Sequence, residues 1–421
     1  MTKPTLPELV SNPSCMDDYD PNAMSVQQAR AFIQQFLNPV TETESIPIRE
    51  SLGRVLAEDV ISPSNVPNHN NSAMDGYAFK YREGIQLIQV IGTAFAGRPF
   101  IGELNAREGV KIMTGAVIPD NCDTVIMQEK TVDKGGDYIH LLEVPNRGTN
   151  VRLAGEDIKV GQAILSKGHK MQAADLGLVA SLGIAEVLVH RYLKVAFFST
   201  GDELVSVGKP LQEGQIYDSN RYTIYGMLSR LGVKMTDYGV VADDPELLET
   251  TLLKVAKDYD VVMTSGGVSV GEADYMKALL TKHGQVLFWK INMKPGRPLA
   301  YGKVGNAHYF GLPGNPVSAM VTFYQFVRLA LLSLMGNKSK PSPLFQVECT
   351  QAIKKAKGRT EFQRGILFED NERWKVKPLP NQGSGILSSM SNANCFIVLT
   401  EETGNCEAGT TVDVQLLEGI I

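Results

Sequence analysis

The sequence predicts a multidomain fold of α/β and β parts: a central α/β domain with a mostly parallel sheet, an inserted β domain, a mixed linker domain and an all-β C-terminal domain. Three observations carry this reading. From Leu193 the chain alternates strand-like and helix-like stretches, as a sheet covered on both faces requires. Two other regions, about 61–149 and the stretch after Asn337, instead show short alternating segments punctuated by Gly, Pro, Asn and Asp. At 421 residues the chain also exceeds the size at which one core keeps growing, so three or four compact units are expected.

In chain order, residues 1–22 carry Pro4, Pro7, Pro13 and Pro21 among polar neighbours, and read as a flexible tail. Ser25 and Gln28 form a capping-box pattern ahead of Val26, Ala29, Phe32, Ile33, Phe36 and Leu37 at helical spacing. Residues 23–60 and 150–190 are expected to form one elongated domain, with the β domain of 61–149 inserted between its halves. The third domain spans 191–338. It begins with "LKVAFFSTGDEL" and closes with "GLPGNPVSAMVTFYQFVRLALLSLMG", in which Asn315 is placed to cap a helix and Pro316 to start it. The fourth, 339–421, reads as a compact β barrel or sandwich.

A net charge of −5 argues against a general nucleic-acid binder, because affinity for the phosphate backbone needs a basic surface. Five cysteines without C-x-x-C spacing suggest reduced thiols and a cytoplasmic protein. The polar N-terminus has no signal-peptide core, and no run is expected to span a bilayer. Nucleotide-hydrolase, zinc-protease and nucleophile-elbow motifs are missing, and the six histidines have no metal-ligand spacing.

Four polar loops fall at the carboxyl ends of the α/β strands, where ligands of such sheets bind: Ser199–Glu203, Asp243–Pro245, Ser265–Asp274 and Gly311–Pro316. The turn of Ser265, Gly266 and Gly267 and the helix start at Gly314 and Asn315 offer N–H groups to a phosphate. Glu203, Asp243 and Asp274 offer carboxylates to Mg²⁺ through water. The bland alternative gives each glycine a tight turn and each acid a helix cap. Lys290, Lys294 and Arg297 in "FWKINMKPGRP" suit an oxyanion or pyrophosphate, or else form a solvated strand end. Asp75 with Gly76 reads as a hairpin signal or a site, and "RLAGEDI" as a hinge or a site.

The ordered motifs "NSAMDGYA", "IMTGA", "RGTNVRLAGEDI", "STGDEL", "IYDSNR", "TSGGVSVGEADY", "KPGRPLAYG", "GLPGNPVSA" and "EFQRG" resemble the MoeA-type molybdopterin molybdenumtransferases, relatives of the C-terminal domain of gephyrin, from about residue 20 to the end. The resemblance implies a four-domain homodimer whose third domain is a three-layer α/β/α molybdenum-cofactor domain and whose fourth is a β barrel. It implies transfer of molybdenum from molybdate to adenylylated molybdopterin with Mg²⁺-dependent release of AMP, and a molybdopterin adenylyltransferase as substrate donor.

Carried onto this chain, the family pattern makes Glu203, Asp243 and Asp274 the Mg²⁺ and pyrophosphate acids, with Lys290 and Lys294 neutralising the same pyrophosphate. Ser265, Gly266, Gly267 and Ser269, with Gly311, Pro313, Gly314, Asn315 and Pro316, hold the molybdopterin or adenylate end. Arg297 stands at a Lys-or-Arg position of the substrate site. Asp75 and Thr114 belong to a β domain that reaches the dimer partner, and Arg364 and Ser384 contact molybdate or its entry route. Two alternatives are an adenylyltransferase-like enzyme consuming ATP and a gephyrin-like scaffold without catalysis.

Overall fold

A computed structural model of the chain describes residues 23–266, 275–338 and 341–417. The expected tail, Cys15, and the predicted site residues Gly267, Ser269 and Asp274 lie outside them. Two compact units are present: Ser45–Leu52 with Leu56–Leu188, and Met1–Glu44 with Gly53–Val55 and Val189–Ile421.

Helix α1 (Val26–Gln34) starts as its sequence predicts. Ser25 Oγ accepts from the Gln28 N–H at 3.2 Å, and Gln28 Oε1 accepts from the Ser25 N–H at 2.9 Å. In the smaller unit, strands β1 (Gly76–Phe79), β2 (Leu87–Ala94), β3 (Glu108–Ile112), β4 (Thr124–Met127), β5 (Thr131–Gly135) and β6 (Tyr138–Leu141) form one sheet in the order β4-β1-β3-β2-β6-β5. Ala78, Val110 and Val125 pack on one face and Phe79, Ile88 and Ile126 on the other, so both faces bury apolar side chains.

The larger unit contains β7 (Lys194–Thr200), α2 (Asn220–Leu231), β8 (Lys234–Val241), α3 (Pro245–Asp258), β9 (Val261–Ser265), α4 (Tyr275–His283), β10 (Gly284–Lys290), β11 (Met293–Lys294), β12 (Pro298–Val304) and β13 (Ala307–Leu312). Its main sheet has the order β8-β7-β9-β13-β12-β10. β7 runs parallel to β8 and β9, and β9 parallel to β13. Val195 and Phe197 point to a core shared with α2, while Ala196 and Phe198 point to one shared with α3 and α4; this alternation makes the three-layer sandwich. The strand–helix rhythm leaves out the hairpin β12–β13. The two residues Gly305 and Asn306 that join these strands allow only antiparallel pairing of β12 with β13, and β12 also runs antiparallel to β10.

A helix then runs from Pro316 to Leu334, 19 residues and apolar enough to cross a membrane, contrary to the expectation that no such run exists. Its most apolar window is 72% buried inside the protein, as befits a core helix. A π-helical turn, Phe323–Val327, interrupts it, and there the Gln325 carbonyl accepts from Arg30 Nε at 2.9 Å. The Gln325 side chain accepts from Arg30 Nη2 and donates to Gln415 Oε1 at 3.0 Å.

The last part settles the choice between barrel and sandwich. Strands β14 (Phe345–Cys349), β15 (Thr360–Asp370), β16 (Arg373–Pro378), β17 (Cys395–Leu399) and β18 (Thr411–Leu416) pair in the order β15-β16-β14-β18-β17, and β17 returns to β15. The ring closes because β15 is long: residues 365–370 pair with β16 and residues 361–365 with β17. Cys349, Val376, Cys395, Ile397 and Val414 fill it. Cys122, Cys349, Cys395 and Cys406 are all buried and unbridged.

Candidate active site

Because β8, β7, β9 and β13 are parallel, their carboxyl ends share one edge of the sheet, with Ser199 level with Ser265 and Ser265 level with Leu312. At one side of that edge lie the acids. The Asp243 N–H donates to Asp202 Oδ1 at 3.3 Å, tying the loop after β8 to the loop after β7. Asp244, not Asp243, caps α3, its side chain accepting from the Leu247 N–H at 2.8 Å. The Asp243 carboxyl stays outside the cap. Its pKa is raised by burial and then by the like charges of Asp202 and Glu203. A divalent cation would relieve this crowding, so Glu203 and Asp243 fit as part of a Mg²⁺ shell completed by water. Among the described residues, no group of three or more His, Cys, Asp or Glu is arranged to hold a metal.

Of the next loop Ser265 and Gly266 are described, and these two depart from the expected phosphate cradle. Gly266 has φ +91°, and a Cβ there would stand 2.4 Å from the Thr200 carbonyl oxygen, so only glycine fits this close approach. Its N–H donates to the Leu312 carbonyl at 3.2 Å and therefore closes the sheet edge instead of facing a ligand. Ser265 is likewise buried, accepting from Asn220 Nδ2 at 2.6 Å, and Asn220 also donates to the Gly314 carbonyl at 2.7 Å. Asn220, which the sequence reading passed over, thus ties two of the loops together.

At the other side lies a cleft of about 330 Å³, lined by Lys294, Arg297, Arg359, Asn315, Ser318, Gln382 and Ser384 together with Pro313 and Gly314. Its wall is built by register. β11 pairs with the start of β15, Met293 against Thr360 and Lys294 against Glu361, which brings Arg359 beside the KPGRP turn. That turn lies against the core helix, since a Cβ on Gly296 (φ +89°) would come within 2.6 Å of Thr322 Oγ1. The Ser384 carbonyl accepts from the Val317 N–H at 3.1 Å, joining the barrel's loop to the first turn of the same helix. Asn315 occupies the N-cap position but makes no capping bond, contrary to expectation, and lines the cleft. Three cations and several hydroxyl and amide groups facing one cavity are suited to a tetrahedral oxyanion.

Three family models match successive parts of the chain: MoeA N-terminal region (domain I and II) over residues 24–183, probable molybdopterin binding domain over 196–333, and MoeA C-terminal region (domain IV) over 346–417. A molybdopterin molybdenumtransferase of Haemophilus influenzae is 46% identical, the match covering 93% of this chain and 98% of that one. The chain belongs to the MoeA family. A molybdopterin molybdenumtransferase of Nostoc is 36% identical over 86% of each chain. A crystal structure of the molybdopterin biosynthesis MoeA protein of Pyrococcus horikoshii superposes with a TM-score of 0.82 at 29% identity, covering 94% of this chain and all of that one.

Of the predicted residues, this MoeA-family chain brings Lys294, Arg297, Pro313, Gly314, Asn315 and Ser384 into one cleft. Lys290 ends β10 level with Pro298, which lines that cleft. Gly311 lies within β13 and Pro316 begins the helix, so both shape the backbone rather than line the cavity. The sequence reading set the lysines and the acids on a single pyrophosphate. Along the sheet edge, β8, which leads into Asp243, stands four strand spacings, roughly 19 Å, from β12.

Arg364, expected at molybdate or its entry route, lies behind the loop that carries Ser384. It is 1% exposed, and its guanidinium donates to Ser389 Oγ at 3.0 Å and to the carbonyls of Asn381 at 3.2 Å and Gly383 at 3.0 Å. Burial lowers its pKa to about 10, which leaves it charged at neutral pH. It braces the loop that presents Gln382 and Ser384. Asp75 and Thr114 lie in the smaller unit. Thr114 donates both its N–H and its hydroxyl to Asp75 Oδ1, each at 2.7 Å, and these bonds hold the carboxyl below its usual pKa. Arg359 and Gln382 were missed, although Arg359 stands two residues before "EFQRG" and Gln382 two residues before Ser384, both already singled out.

Proposed function

We propose that this chain is a molybdenum insertase, transferring molybdenum from molybdate to adenylylated molybdopterin with release of AMP. The observation that carries the reading is the cationic cleft of Lys294, Arg297 and Arg359, set on the same sheet edge as Glu203 and Asp243 in a MoeA-family chain. Lys294, Arg297 and Arg359 draw in the molybdate dianion, and Asn315, Ser318 and Ser384 orient its oxygens. Ser265 and Gly266 shape the loop that borders the substrate between cleft and acids. Glu203 and Asp243, with Asp274, would hold Mg²⁺, which supplies charge neutralisation at the pyrophosphate. A bound substrate thus extends along the edge, its adenylate linkage toward the acids and its dithiolene toward the cleft.

In this reading the protein acts in the cytoplasm as a homodimer, with Asp75 and Thr114 presented toward the partner's α/β domain and an adenylyltransferase supplying the substrate. Incubating the purified protein with molybdopterin adenylate, Mg²⁺ and molybdate tests it. Molybdate-dependent AMP release that stops with EDTA is the expected result, and recovery of intact substrate would reject it. Consumption of ATP with free molybdopterin would instead favour the adenylyltransferase reading.

A further inference from the structure

One cation of the cleft is held by a carboxylate that does not itself line the cavity. Glu361 lies directly across from Lys294 in the β11–β15 pairing, and Lys294 Nζ stands 3.7 Å from Glu361 Oε1. The other carboxylate oxygen, Oε2, accepts from Gln363 Nε2 at 2.8 Å. Glu361 is 6% exposed, whereas the Lys294 side chain is 59% exposed. Glu361 also interacts with the charge of the buried Lys355, which offsets part of its own burial, and the contact with Lys294 adds little stability to that. Burying a carboxylate costs several kcal/mol, and a pair with one exposed partner returns about 0–1 kcal/mol. A lysine has a long flexible stem, however, and an unanchored ammonium must be ordered when an anion binds.

We propose that Glu361 is a positioning residue for Lys294, fixing its ammonium at the cleft where the oxyanion is received. The proposal rests on the cleft being the molybdate site. Glu361 stays outside the cavity and acts only through the lysine. Gln363 holds the carboxylate in place from the other side, so its orientation does not depend on the ligand.

A double-mutant cycle on the full chain tests this, with molybdate-dependent AMP release as one measurement and a crystal structure of the Glu361→Gln variant as the other. Glu361→Gln is expected to lower kcat/KM for molybdate roughly tenfold, yet by less than about twofold when Lys294 is already methionine. Glu361→Asp, which keeps the charge but shortens its reach, gives an intermediate loss that also vanishes in the Lys294→Met background. It serves if the glutamine variant folds poorly. The crystal structure should show Nζ displaced from its wild-type position. An undiminished effect in the Lys294→Met background, or an unmoved Nζ, overturns the proposal. If the wild-type protein releases no AMP, the molybdate reading falls, and the position of Nζ alone decides the role of Glu361.

Discussion

Replacing Arg364 by methionine separates a brace from a ligand. Methionine keeps much of the aliphatic bulk but removes the donors that hold Ser389 Oγ and the carbonyls of Asn381 and Gly383. A hydrogen bond to a charged group contributes about 1.5–3 kcal/mol. Two discounts apply: Ser389 Oγ keeps its own bond to the Ile386 carbonyl at 2.7 Å, and Asn381 and Gly383 are exposed enough for water to replace part of the loss. The expected cost is about 3 kcal/mol, concentrated in the 381–384 loop. Hydrogen exchange of that loop should then accelerate by about 100-fold, since each 1.4 kcal/mol is a factor of ten. The unfolding midpoint should fall as well, with molybdate affinity weakened as a consequence. Unchanged loop exchange and midpoint, with only molybdate binding lost, would refute the brace and return Arg364 to the role of a direct ligand.

The other predictions are narrower. Gly266→Ala places a Cβ 2.4 Å from the Thr200 carbonyl at a positive φ, so a loss of more than about 2 kcal/mol in chemical denaturation is expected, together with lost activity. Asp243→Asn removes a carboxyl whose pKa is raised by burial, Asp202 and Glu203. The favourable contribution of the protonated form is complete below the unfolded-state pKa and disappears as pH rises through the higher folded-state pKa. The variant should therefore gain stability relative to wild type across that window and hold the gain at neutral pH, while Mg²⁺ should raise its thermal midpoint less than it raises that of wild type. Arg359→Ala should raise the molybdate KM by about tenfold, as measured by AMP release.

The periodic parts of the fold were legible because burial imposes periodicity. The alternation of Val195, Ala196, Phe197 and Phe198 between two cores is what a strand covered on both faces requires, and helices follow each of the first three parallel strands. The shared edge of four loops followed from parallel strands alone. The hairpin 298–312 was not legible, because its glycine-bearing turn lies between two short apolar runs that strand–helix alternation passes over. The cleft was half legible. Local patterns single out Lys294, Arg297 and Asn315, and the family resemblance singles out Ser384, but Arg359 and Gln382 join them only through the β11–β15 register and the Val317–Ser384 bond. The N–H of Gly266 shows the opposite failure: a glycine turn at a strand end looks like a ligand cradle until its donor is found inside the fold.

The widened turn at Gln325 has a consequence for how damage spreads. The Pro316–Leu334 helix touches the cleft at one end through Ser318, while its middle is fastened to α1 by Arg30 and to barrel strand β18 by Gln415. The family models divide this part of the chain into two regions, 196–333 and 346–417, yet the helix works as an axle shared by both. A lesion in the barrel, even one remote from any oxyanion, would loosen the seat of Ser318. Calorimetry should accordingly find the α/β sandwich and the barrel melting together, as one cooperative block.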